Sequence, residues 1–217
     1  MQNRHISFTP KNIVMYLSGF FITALGVIFM LRGNFGAGAW DTVTANLNAF
    51  FHSVNFPISV GLTSMSIALT IFAFVILYTK KWQLIGMLIP IGIMGTVLDF
   101  WDIIIFGDYV AELLSIRILF SLLGAFLIPL GLATIVSSHF PAFVFDELTI
   151  VVMDIFKSKS ITKARLGIEF LGISMGILFG FMAGIGFGAV NVGSIVMAII
   201  LPPMFNYFVK KLGAFDE

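Results

Sequence analysis

The 217-residue chain predicts an all-α membrane protein: six transmembrane helices as two inverted three-helix repeats, each with a re-entrant loop and half-helix. Three observations lead there. Hydrophobic residues make up 59% of the chain and charged residues 11%, with a mean hydropathy of +1.06, more apolar surface than one soluble core of this size can hide. Six apolar runs are each long enough to cross about 30 Å of hydrocarbon. Finally, the stretch 19–51 recurs without a gap at 124–156, so that Gly19, Phe21, Leu25, Gly26, Phe35, Ala37, Asp41, Thr44 and Phe51 return as Gly124, Phe126, Leu130, Gly131, Phe140, Ala142, Asp146, Thr149 and Phe156.

The first span, near 13–31, has no small-residue cleavage site behind it and reads as a retained helix rather than a signal peptide. A glycine-rich break at 33–39 follows, then Trp40-Asp41 and a short apolar helix over 41–51. Spans near 58–78 and 84–106 complete repeat one, about 12–106. Repeat two, about 116–208, runs through a span near 116–136, a break at 137–144, Phe145-Asp146 with a short helix over 146–156, and spans near 164–182 and 187–208. Residues 1–217 form a single transmembrane domain. The two short helices have too few residues to cross and read as half-helices in re-entrant loops. Non-helical backbone at membrane depth survives only where protein or water satisfies it, so 33–39 and 137–144 are expected to line a shared cavity.

Basic residues set the orientation, because Lys and Arg stay on the cytoplasmic side during insertion. With six crossings, Arg4, Lys11, Lys80, Lys81, Lys157, Lys159, Lys163, Arg165, Lys210 and Lys211 all fall on one side, and only Arg32 and Arg117 on the other. Both termini are therefore expected in the cytoplasm. Three crossings per repeat is an odd number, which turns the second copy upside down relative to the first. Duplicated, interrupted hydrophobic segments of this kind are the mark of transporters and channels.

Composition also excludes. A net charge of +1 with scattered basic pairs leaves no patch for nucleic acid. The absence of cysteine removes disulfides, thiolate metal sites and a cysteine nucleophile, and His5, His52 and His139 are too far apart for a local metal motif. There is no phosphate-binding Gly-x-x-x-x-Gly-Lys-Ser/Thr loop, no Ser-His constellation and no His-Glu-x-x-His. No catalytic residue, metal or cofactor is predicted, and the chain is not expected to be an enzyme.

Several features taken together resemble the YczE/YitT-like family of bacterial integral membrane proteins. They are Gly36-Ala37-Gly38-Ala39-Trp40-Asp41 after span one, Gly86 with Gly95 and Asp99 along span three, Arg165 followed by Glu169 opening span five, and Gly193-Ser194 with Pro203 in span six. The chain departs from that pattern at Ala39, where proline is usual, and at Phe143-Val144-Phe145-Asp146, where glycine-proline-arginine-aspartate is usual. The resemblance implies this architecture and a bacterial cytoplasmic (inner) membrane location, and assigns no substrate.

Candidate site residues follow from polarity at depth. Asp41 and Asp146 open equivalent short helices, where a carboxylate either caps free amides or contacts a substrate or cation, or does both. Trp40, Thr44 and Thr149 extend that lining, although the hydroxyls can equally bond their own helix. Asp99 lies opposite Asn206 when the third spans are aligned, and shares a helical face with Asp102. Arg165 and Glu169, four residues apart, form either a structural ion pair or a gate. Arg32 reads as an interfacial anchor, or as a partner for Asp41. Gly172, Gly176, Gly180, Gly184 and Gly188 recur every fourth residue, a stripe suited to close helix packing within the chain or, alternatively, in a homodimer.

The expected function is transport of an unidentified small molecule, with a site between the two broken loops near the midplane. Acidic side chains there favour a small molecule with a cationic group, or proton coupling. The alternatives are a substrate-binding membrane subunit that needs a separate energising partner, and a lipid-handling or scaffold protein. The partners expected are the lipid bilayer and that small molecule.

Overall fold

The computed structural model describes residues 9–141, 143–158 and 160–212. Ala142, the counterpart of Ala37 in the repeat, lies outside the described residues, as do Arg4, His5 and Lys159. Regular structure among the described residues is helical throughout: α1 (Pro10–Gly33), α2 (Ala39–Ser53), α3 (Val60–Thr79), α4 (Leu88–Asp99), α5 (Leu114–Ser137), α6 (Val144–Ile155), α7 (Ile161–Met182) and α8 (Val192–Lys211). A 3-10 helix, Trp82–Met87, leads into α4, and a π-helix, Phe100–Phe106, extends it. Six helical stretches are long and apolar enough to cross a bilayer: α1, α3, Trp82–Phe106, α5, most of α7, and α8. The chain is a multi-pass membrane protein. α2 has 15 residues and α6 has 12, which makes them about 22 and 18 Å long, short of the hydrocarbon thickness.

Local signals set the helix ends. Thr9 caps α1 by accepting from the Asn12 amide, with Pro10 behind it, and the helix stops at Asn34 in the left-handed region (φ 55). Ser59, Ser160 and Asn191 cap α3, α7 and α8 in the same way. The sixth span starts at Val192, not near 187, because Gly184, Gly186 and Gly188 all take positive φ and turn the chain between α7 and α8. Gly184 therefore lies beyond the end of α7, with nothing near the place a Cβ would occupy, and takes no part in helix packing.

α1 is the central helix, half buried along its apolar window where the other spans are a third buried or less. It crosses α5 antiparallel at four glycines. A Cβ on Gly19 would meet the Gly131 carbonyl oxygen at 3.0 Å, and one on Gly124 would meet the Gly26 carbonyl oxygen at 2.6 Å. Small residues let the two backbones touch, and in lipid such contact is the main attraction between helices. α2 lies along α7, α6 along α3, α4 beside α1, and α8 beside α5. Leu77, Phe170 and Ile104 are among the large apolar side chains left exposed, as lipid-facing positions require.

α3 and α4 pack closely, with Gly61 against the Gly95 carbonyl and Met65 filling the space over Gly95. α7 and α8 barely touch. At the far end of α1, Arg32 pairs with Asp102 at 2.7 Å and donates to the carbonyls of Tyr109 and Gly107. Asp102 belongs to the π-helical segment and is held by α1, whereas Asp99 is held by the start of α3. The two carboxylates do not share a face, and Arg32 is taken by Asp102 rather than Asp41.

Candidate functional site

The two breaks are held by the opposite half of the chain. In the first, Gly36 (φ +117) lies against α8 so closely that a Cβ would meet the Ser194 amide nitrogen at 2.4 Å. The Gly193 amide donates to the Phe35 carbonyl at 2.9 Å, and the Ala37 amide to Ser194 Oγ at 3.2 Å. In the second break, Tyr16 Oη of α1 donates to the Pro141 carbonyl at 2.7 Å, and Gly86 lies beside the Pro141 ring. Pro141 is the repeat counterpart of Gly36.

From these anchors α2 and α6 start with their first turns together. The rings of Trp40 and Phe145, each the second residue of its helix, are 4.8 Å apart between centroids. Asp41 and Asp146, each the third residue, occupy the first turns. Asp41 accepts from the Gly38 amide, which is half of a capping box, and it lies close enough to Glu169 to interact with it electrostatically. Arg165 ties α7 to α6 within the second half: its Nη1 is 3.0 Å from Asp146 Oδ1 and its Nε is 3.1 Å from Glu169 Oε1. Trp40, Asp41, Asp146, Arg165 and Glu169 thus form one cluster. No ion pair to Asp41 occurs among the described residues.

A narrow cleft of ≈ 60 Å³ opens at this cluster, between Gly38 and Ala39 at the start of α2, Arg165 and Glu169 of α7, and Met197 and Leu201 of α8. Trp40 Nε1 is buried with no hydrogen-bond partner among the described residues, an unpaired donor that costs about 1–3 kcal/mol. Among the described residues the cluster brings together three carboxyl groups and one guanidinium. The starts of α2 and α6 each add about half a positive charge beside these carboxyl groups.

Other predicted residues sit elsewhere or act locally. The hydroxyls of Thr44 and Thr149 donate to the carbonyls of Trp40 and Phe145, one turn back on their own helices. Asp99 accepts from Ser59 Oγ at 2.6 Å and the Gly61 amide at 2.7 Å, capping α3 away from the cluster. Asn206 is exposed on α8. Neither Asp99 nor Asn206 joins the site. Gly172, Gly176 and Gly180 face α2, where an added Cβ would meet Ala39, Thr42 and Asn46 at 3.2, 2.8 and 2.9 Å.

Three residues that were not read as site residues in the sequence matter here, Ser194 having been named only as part of the family pattern. Asn46 is 1% exposed and donates to the carbonyls of Gly176 and Phe187 while accepting from the Ala189 amide, which ties α2 to α7 and to the turn beyond it. Its signal was a lone amide inside an apolar half-helix. Asn46→Ala removes three hydrogen bonds, among them the acceptor of the Ala189 amide, and is expected to lower the thermal midpoint in detergent by about 5–10 °C. An unchanged midpoint would mean those groups find other partners. Ser194 anchors the first break, and its signal was the Asn-x-x-Ser spacing of a helix start. Glu147, in the first turn of α6, is the one charged side chain buried among the described residues, at 8% exposure.

A family model described as a family of unknown function, DUF6198, matches residues 10–210. The chain belongs to that family. It is similar to the uncharacterized membrane protein YczE of Bacillus subtilis (strain 168), 29% identical with 92% of this chain and 91% of that protein covered. It is also similar to the uncharacterized protein YyaS of the same organism, 26% identical with 90% of this chain and 95% of that protein covered. No solved structure matches. The match to a membrane protein along nearly the full length agrees with the six apolar helices.

Proposed function

We propose that this DUF6198 chain is a small transporter of the bacterial inner membrane. It is built of two inverted repeats with both termini in the cytoplasm, and it moves a small molecule bearing a positive charge. One observation carries the reading: two helices too short to cross begin side by side, with Trp40 against Phe145 and the carboxylates of Asp41 and Asp146 in their first turns around the Arg165–Glu169 pair. Carboxylates at membrane depth are costly unless they face protein, water or a ligand.

The inverted relation is supported by reciprocal contacts. Gly19 against Gly131 has its mate in Gly26 against Gly124, and Gly36 against Gly193 has its mate in Pro141 against Gly86. Pairs of this kind arise when two copies of one motif are related by a two-fold axis in the membrane plane. α2 runs parallel to α7, with Ala39 level with Gly172 and Asn46 level with Gly180, so it starts near the middle of that span. That level fits a re-entrant path, in which the chain dips inward over 34–38 and α2 climbs back out.

The test is electrical. Proteoliposomes of the purified chain on a solid-supported membrane receive concentration steps of ethylammonium and of choline. A sustained, saturable current above that of empty liposomes is expected for at least one of them. A brief transient with no sustained component would favour a binding subunit that needs a partner. Folded protein that gives no response to either cation removes the cation reading.

A further inference from the structure

We infer that the site takes an amphipathic primary amine, whose ammonium head sits in the cleft beside Asp41 and Glu169 while its hydrocarbon tail leaves between α7 and α8 into the lipid. This rests on the cation-site reading above and adds the ligand's class and its route.

Size selects the head group. A cleft of ≈ 60 Å³ is far below the roughly 300–1,000 Å³ of sites that enclose a whole metabolite, yet it holds a water-sized group. An –NH₃⁺ head is of that size and brings three donors to a cleft with the Glu169 carboxylate in its wall; a trimethylammonium head is larger and brings none. Charge selects the sign, since Glu169 lines the cleft, Asp41 Oδ2 lies against Gly38 at its edge, and Arg165 is already held by Asp146 and Glu169.

The route follows from an asymmetry in the fold. Under exchange of the halves, contact between α3 and α4 corresponds to contact between α7 and α8. The first pair is closed by Gly61, Met65 and Gly95, whereas the second pair barely touches, and the cleft lies in that seam. Its α8 wall is Met197, Ala198, Leu201 and Pro202, with no charged group, and at its α7 rim Leu166 is 57% exposed. Farther out, Phe170 and Ile199 are 73% and 69% exposed. A polar ligand arriving by this seam would lose its hydration along an apolar wall, whereas an alkyl chain is at home there.

The experiment is equilibrium binding of radiolabelled dodecylamine to the chain in phosphatidylcholine nanodiscs, with empty nanodiscs subtracted. Saturable binding is expected, with dodecyltrimethylammonium competing at least about tenfold more weakly and ethylamine needing a far larger excess. Asp41→Asn should weaken it by about 10–100-fold. Ala198→Trp and Leu166→Trp, which plug the seam from either side, should each weaken it at least about tenfold while the thermal midpoint stays near that of the parent. If ethylamine competes as well as dodecylamine and binding still depends on Asp41, the lateral route is overturned and the cation site stands. Equal competition by dodecyltrimethylammonium overturns the head-group assignment. If both seam variants fold and bind normally, the α7–α8 route is wrong. Absence of any Asp41-dependent amine binding overturns this inference and the cation reading together.

Discussion

Gly131→Leu is expected to prevent the chain from folding. A Cβ at this position would stand 2.3 Å from Thr23 Oγ1, 2.6 Å from the Thr23 amide nitrogen and 2.8 Å from the Gly19 carbonyl oxygen. Two of those atoms are backbone, so no rotamer change relieves the clash and α1 and α5 must separate. Overpacking usually costs about 1–3 kcal/mol, and separation along the central helix pair should cost at least the upper figure. Gly131→Ala should fall between. The control is Gly92→Ala in α4, where a Cβ meets nothing within 4 Å. It should be neutral or stabilising by up to about 1 kcal/mol through helix propensity. The readouts are the monodisperse fraction in detergent and the thermal midpoint. Wild-type values for Gly131→Leu would show that α1 and α5 do not meet at these glycines.

The second large effect is on function. Asp41 has two candidate roles: it accepts from the Gly38 amide at the start of α2, and it brings to the cluster a carboxyl group that no ion pair holds among the described residues. Asp41→Asn keeps an acceptor oxygen and removes the charge, whereas Asp41→Ala removes both. If the charge binds the ligand, both variants lose cation-evoked current by about 10–100-fold, the worth of one charged hydrogen bond. If capping alone matters, Asp41→Asn stays near wild type and Asp41→Ala loses about 1 kcal/mol of stability. Asp146→Asn should have the smaller effect, because its side chain is 53% exposed and Arg165 keeps Glu169 when Asp146 is gone.

Much of the fold was legible because its signals are local. Apolar length marks a span, and Thr9, Ser59 and Ser160 mark helix starts by bonding amides three residues on. The equivalence of Asp41 and Asp146 was legible because the duplication kept the aromatic-acidic pair in place, and both carboxylates occupy the third position of their helices. The reach of the glycine stripe was less so. Gly172, Gly176 and Gly180 do face α2, but the same periodicity runs on through Gly184, where the backbone has already turned left-handed. Spacing alone cannot tell a helical glycine from one that ends the helix.

Charge partners were not legible either. Asp99 and Asp102 look alike in a linear pattern, yet one caps α3 and the other holds Arg32 of α1, neighbours that lie far from them in the chain. Aligning Asp99 with Asn206 through the repeats also misled, since the two halves have diverged where α4 and α8 meet different surroundings. Asn46 was hidden for the opposite reason: a single amide carries no pattern, and its three backbone partners come from residues far along the chain.

By itself, then, the sequence determined the membrane, the six spans, the two short helices and the equivalence of Asp41 and Asp146, since hydrophobic length and the repeated aromatic-acidic pair are written in the chain itself. Only the tertiary structure decided that Arg165 bridges to Asp146, that Arg32 belongs to Asp102, and that α7 and α8 part to leave a cleft where α3 and α4 close. Those outcomes depend on distances between helices that share no local signal. They are set by which backbones can touch, and that is decided by the glycines of α1, α5 and α7 only once the helices have come together.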